Sequence, residues 1–144
     1  MTSYPVNRIS LITLAAQDLD GLSGFYAKLG WVSEFRSEDV VFYDLGGLRF
    51  GLYRAEKLAA DLNTTVEDLG KGAMTLTVNF GGKKDVDVAY GTAIESGGTA
   101  LKQPDDIFWG GYTGSWADPE GHVWEYAWNP FWKLDENGRL TGDV

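Results

Sequence analysis

Asp118-Pro119-Glu120-Gly121-His122-Val123-Trp124-Glu125 reads as a tight turn feeding a strand that ends on a carboxylate. A fainter copy, Asp44-Leu45-Gly46-Gly47-Leu48-Arg49-Phe50-Gly51, lies earlier in the chain. Aligned on their aspartates, the two place Gly47 against Gly121, Phe50 against Trp124 and Gly51 against Glu125. A repeated turn and strand implies repetition of the whole unit around it.

The surrounding sequence has that repeat. Before the first copy, residues 8–16 read as a buried strand, and Asp18 caps a helix whose apolar positions Leu19, Leu22, Phe25, Tyr26 and Leu29 recur at spacings of three and four, with Gly30 as its stop. Three short strands follow at 31–36, 40–45 and 48–53, the last two joined at Gly46-Gly47. Before the second copy, a strand at 74–80 leads to a helix for which Asp85 is the expected cap and Gly97-Gly98 the stop. Strands are then expected near 99–102, 112–117 and 123–128. Each half is therefore a strand, a helix and three strands, which makes an α+β chain of two tandem βαβββ modules. Their bounds are 8–54 and 73–129, with residues 55–72 as a linker containing a short helical stretch and 130–144 as a C-terminal tail. The tail carries Phe131 and Trp132, costly to leave in water, so it is expected to fold back on the body or on a second subunit.

Composition narrows the chemistry. One domain's worth of core is available in 144 residues of which 44% are hydrophobic. The chain has no cysteine and one histidine, so a metal site would have to come from Asp, Glu and His122. A formal charge of -9 disfavours nucleic acid and anionic membranes and tolerates a neutral or cationic ligand. No apolar run approaches the ~18 residues of a membrane span, and Met1-Thr2-Ser3-Tyr4-Pro5 lacks the blocks of a signal peptide, so a cytoplasmic protein is expected. Gly81-Gly82-Lys83-Lys84 does not have the spacing of a phosphate loop, and a single histidine in a turn gives no nucleophilic triad.

The tandem units, the opening Ile12-Thr13-Leu14-Ala15-Ala16-Gln17-Asp18-Leu19, the Phe25-Tyr26 and Leu29-Gly30 pairs and the late Asp118-Pro119-Glu120-Gly121-His122 turn together resemble the vicinal oxygen chelate superfamily. That group includes glyoxalase I, extradiol dioxygenases and bleomycin-resistance proteins. The ending, from Trp124 through Leu140, is similar to an uncharacterised glyoxalase-like branch. The resemblance implies two modules curled into a partly closed, cupped mixed β-sheet with helices outside, a metal held inside by four side chains, and a homodimer. It places the ligand positions at Leu11, at or beside Gly51, near Thr75 or Leu76, and at Glu125. Leucine and glycine offer no donor, and one carboxylate does not make a divalent site, so no cofactor is expected, the alternative being a divalent metal held weakly through Glu125. His122 precedes Glu125 by three residues, which strand parity sends to the other face.

Glu125 is the candidate catalytic residue, as a general base of a lyase or isomerase. A structural pairing with Arg8, Arg49 or Arg54 is the favoured alternative, because paired buried carboxylates also have shifted pKa values without doing chemistry. Trp109, Tyr112 and Trp116, concentrated among glycines, are the candidate walls of a small-molecule pocket with Glu125 at its floor, together with Leu11 and Gly51. Binding of a small aromatic or cationic molecule without metal is the first reading, as in bleomycin-resistance proteins.

Overall fold

A computed structural model describes residues 7–142. The chain divides into two compact units, one ending at Leu69 and the other starting at Gly70. Both have the expected α+β grammar.

In the first unit, β1 (Leu11–Ala16) lies beside β4 (Arg49–Arg54) in parallel, and β3 (Val40–Asp44) and β2 (Phe35–Arg36) continue the sheet antiparallel, in the order β1-β4-β3-β2. Helix α1 (Leu19–Lys28) starts where the Asp18 carboxylate accepts the Gly21 N–H at 3.0 Å, which satisfies one of the helix's orphan donors. Leu19, Leu22, Phe25 and Tyr26 bury against one sheet face, made of Leu14, Ala16, Val41, Tyr43, Phe50 and Leu52. Trp31 does not begin a strand. Its N–H returns to the Tyr26 carbonyl, and its ring packs edge-on to Tyr26 and Tyr43 and tilted on Phe50, so core packing overrides the local strand propensity. The expected linker also contributes to this core: α2 (Ala55–Asp61) buries Ala55 and Ala59 and packs on β4 and β1, and a 3-10 turn follows at Val66–Asp68.

The second unit repeats the layout with β5 (Thr75–Asn79), β6 (Thr99–Asp106), β7 (Tyr112–Ala117) and β8 (Val123–Trp128) in the order β5-β8-β7-β6, and with α3 (Lys83–Glu95) on one face. Gly82, not Asp85, is the cap of α3. Asp85 sits inside the first turn, where its charge favours the helix dipole. Strand β6 runs through Pro104, beyond the expected end at 102. Proline is tolerated there because β6 is an edge strand, and it needs glycine opposite, since a Cβ on Gly114 would lie 2.9 Å from the Pro104 nitrogen. The tail closes with a hairpin of β9 (Lys133–Leu134) and β10 (Leu140–Thr141), whose Asp135 carboxylate accepts the N–H groups of Asn137 and Arg139.

Burial pushes the Tyr126 hydroxyl up to about 12. Because its folded pKa exceeds the unfolded value near 10, the protonated ring's contribution is complete below pH ~10 and is lost as pH rises through ~12. Urea midpoints are therefore expected to fall between those values, and Tyr126→Phe is expected to flatten part of that fall. An equally steep fall in the variant would assign the loss to other groups.

Candidate functional site

Strand parity sorts each sheet into two faces. In the first unit the face away from α1 carries Leu11 and Thr13 of β1, Arg49 and Gly51 of β4, and Phe42 of β3, with Phe35 of β2 opposite Phe42. Phe42 and Gly51 are direct partners across the β3–β4 ladder. A Cβ on Gly51 would stand 3.0 Å from Phe42 Cε1 and 3.5 Å from Leu11 Cδ1, so the ring uses the space that glycine leaves free. Leu11 and Gly51, both expected at the site, are thus brought together.

Beside them a solvent-open cleft of about 510 Å³ is lined by Ser10, Leu11, Glu34, Phe35, Phe42 and Arg49. That volume is within the usual range for small-molecule sites. Phe35 and Phe42 form a splayed pair with ring centroids 6.1 Å apart and planes 34° from parallel. Arg49 donates through Nε to Glu34. That hydrogen bond, then the charge of Glu34, then that of Asp44 hold its guanidinium pKa above the ordinary value, against a smaller opposing effect of burial.

In the second unit, the face away from α3 carries Thr75 and Thr77 of β5, Glu125 of β8 and Ser115 of β7. Glu125 is half-buried, and its Oε1 accepts the Thr77 hydroxyl at 3.1 Å. Two of the three arginines expected as its partners are engaged elsewhere: Arg49 with Glu34, and Arg54 with Asp39 at 3.2 Å and the Glu38 carbonyl. His122 closes the turn before β8, where its backbone bonds Asp118 in both directions.

The aromatic pocket expected over Glu125 is corrected by this geometry. Trp116 is 0% exposed and stacks on Trp124 at 5.7 Å with planes 4° apart, on the face toward α3. Tyr112 shares that face. Its hydroxyl donates to Asp87 of α3 at 2.6 Å, chiefly for which reason its pKa is raised to about 12, and Lys83 lies over its ring. Trp109 sits at the tip of the β6–β7 hairpin with its ring over Gly111 and is 41% exposed. Neither Tyr112 nor Trp116 is on the side of the sheet that carries Glu125, because Glu125 pairs with Ser115.

Leu45 and Leu48 close the first turn, whereas Asp118 and His122 close the second, which is one residue longer. Alignment on the aspartates therefore shifts the preceding strand by one. Trp116 corresponds to Tyr43, which pairs with Phe50 as Trp116 pairs with Trp124, and not to Phe42. A one-residue shift exchanges the faces of a strand. The short Gly46-Gly47 turn sets Phe42 opposite Gly51, and the sequence reading did not place Phe42, Phe35, Ser10 or Glu34 at a site.

The donor set does not fit the metal that such folds commonly hold. Leu11 has no donor, Gly51 is packed by the Phe42 ring, and Thr75, Leu76 and Thr77 provide hydroxyl or apolar groups. Among the described residues no three His, Cys, Asp or Glu side chains are grouped to bind an ion.

No family model and no curated protein matches the chain. Solved structures do. A glyoxalase-related enzyme from Fulvimarina pelagi is 29% identical, with 96% of this chain and 100% of that one covered at a TM-score of 0.88. A glyoxalase/bleomycin resistance protein/dioxygenase family enzyme from Burkholderia phytofirmans PsJN is 22% identical over 83% and 96% of the two chains, at 0.73. A lactoylglutathione lyase from Agrobacterium tumefaciens is 21% identical over 91% and 100%, at 0.69. Fold and site together define a duplicated βαβββ protein whose usual ligand positions are largely occupied by groups without donors. The fold is that of the glyoxalase/bleomycin resistance/dioxygenase proteins, which supports a place in the vicinal oxygen chelate superfamily.

Proposed function

We propose that the protein binds a small molecule in the cleft of its first unit, without a tightly held metal. The observation that carries this reading is the exchange at β1 and β4, where Leu11 and Gly51 pack with the Phe42 ring beside a cleft of about 510 Å³. An apolar wall with a few charged groups at its edge suits a planar organic ligand held by ring contact and burial.

A neutral aromatic probe tests the reading. The protein, dialysed against EDTA, is expected to bind 1-naphthalenemethanol with a Kd of about 1 mM, the strength available to a ligand of about a dozen heavy atoms. Phe42→Ala is expected to weaken binding about tenfold, and added Ni, Zn or Mn to leave it unchanged. Binding that appears only with metal overturns the reading.

A second reading keeps Glu125 as the base of a lyase or isomerase, alone or with a weakly held divalent metal. It is favoured by the half-buried carboxylate that Thr77 orients on the sheet face away from the core. Two similar proteins, a lactoylglutathione lyase and a glyoxalase-related enzyme, support the same reading. We also propose a cytoplasmic homodimer with no nucleic-acid or membrane partner. Phe108 and Phe131, 98% and 71% exposed on the second unit, supply apolar surface for pairing, and light scattering reads the mass.

A further inference from the structure

The geometry points to a planar aromatic cation as the ligand class of the first unit's cleft, an assignment that rests on the binding reading above. Its apolar wall is Leu11, Phe35 and Phe42, and Phe35 is about half exposed, so π surface faces solvent. The splayed rings leave an opening on one side, where a flat ring can lie against Phe35 or Phe42. Aromatic faces attract a positive charge and repel a negative one.

The ionic groups around that wall have the same preference. Arg49 is the cation lining the cleft and donates to Glu34, and Asp44 lies opposite it across the β3–β4 ladder, close enough for its charge to act on the guanidinium. Glu34 lines the cleft and is held to β3 by its own N–H, which donates to the Phe42 carbonyl at 2.9 Å. Two carboxylates to one guanidinium leave the edge of the cleft negative, and the protein's formal charge of -9 adds to that field. An anionic ligand must draw Arg49 away from Glu34 and approach the charge of Asp44. A cationic ligand meets a surplus carboxylate and two ring faces without displacing anything. Arg49 and Glu34 are both substantially exposed, so the selection is moderate and sensitive to salt.

Three probes of one size separate charge from shape: 1-naphthylmethylammonium, 1-naphthalenemethanol and 1-naphthoate, each titrated calorimetrically into the whole protein in EDTA at low and at high salt. The ammonium is expected to bind about tenfold or more tighter than the carboxylate, with the alcohol between them and the spread narrowing in ~0.5 M salt. Glu34→Gln is expected to weaken the ammonium about threefold relative to the alcohol. Arg49→Met is expected to tighten the ammonium about threefold, a gain that a damaged fold does not produce. Equal or reversed affinities of ammonium and carboxylate, with the alcohol still bound and still sensitive to Phe42→Ala, overturn the cation assignment and leave the binding reading standing. Absence of binding by all three probes, or binding indifferent to Phe42→Ala, overturns the binding reading itself.

Discussion

Replacing Trp116 with alanine is expected to cost about 3–5 kcal/mol, the range for removing a large aromatic side chain from a packed core. The indole is fully buried, stacked flat on Trp124 and met edge-on by Tyr126 at 5.3 Å. Those contacts join β7 and β8 on the face toward α3, where Val86, Tyr90 and Ala93 are buried and the Tyr90 hydroxyl reaches the Ser115 carbonyl. A loss of that size is a large part of the ~5–15 kcal/mol by which a domain of this length is stable. Urea denaturation of the variant is expected to show the midpoint falling accordingly. Trp109→Ala, at an exposed hairpin tip, is expected to cost under about 1 kcal/mol. Comparable losses in the two variants would contradict the assignment of Trp116 to the core and Trp109 to the surface.

Asp118→Ala is expected to cost about 2–4 kcal/mol, although it removes only one small side chain. The Asp118 carboxylate is 2% exposed and accepts two backbone N–H groups, from Glu120 at 2.9 Å and His122 at 3.0 Å. Hydrogen bonds to a charged acceptor contribute more than neutral ones, and the stranded donors would be poorly solvated in a turn closed by Asp118 and His122. Gly121, at φ +90°, takes the left-handed position that lets the chain reverse. Asp118→Asn keeps one acceptor oxygen and is expected to recover about half of the loss. An alanine variant as stable as the parent would show that the glycine alone sets this turn. Because the turn fixes the register of β7 on β8, probe binding in the first unit is a useful control that the effect stays local.

Much of the architecture was legible. The Asp18 cap, the three-and-four spacing of α1 and the turn-bounded strands β4 and β8 are local signals, and each appears within a residue or two of its expected place. Trp31 does not start the strand expected at 31–36, because packing against residues distant in sequence decides its place and propensity alone carries no such information. Of the candidate site, the facing of Leu11 and Gly51 in the first unit, and of Glu125 in the second, follows from strand parity, which is a property of each strand itself. Trp116 and Tyr112 lie on the other face from Glu125, whose partner is Ser115, and a concentration of rings among glycines does not tell which face each ring takes.

The sequence by itself determined the duplication, the α+β class and the lack of side-chain donors at Leu11 and Gly51, because residue identity and spacing suffice for those. Only the tertiary structure decided what occupies the vacated ligand position. Phe42 fills the space beside Gly51, Phe35 and the Glu34–Arg49 pair border the cleft, and Trp116 turns into the core. The physical reason is that side-chain neighbours in a sheet are set by cross-strand register, which depends on turn length and on packing against the helices.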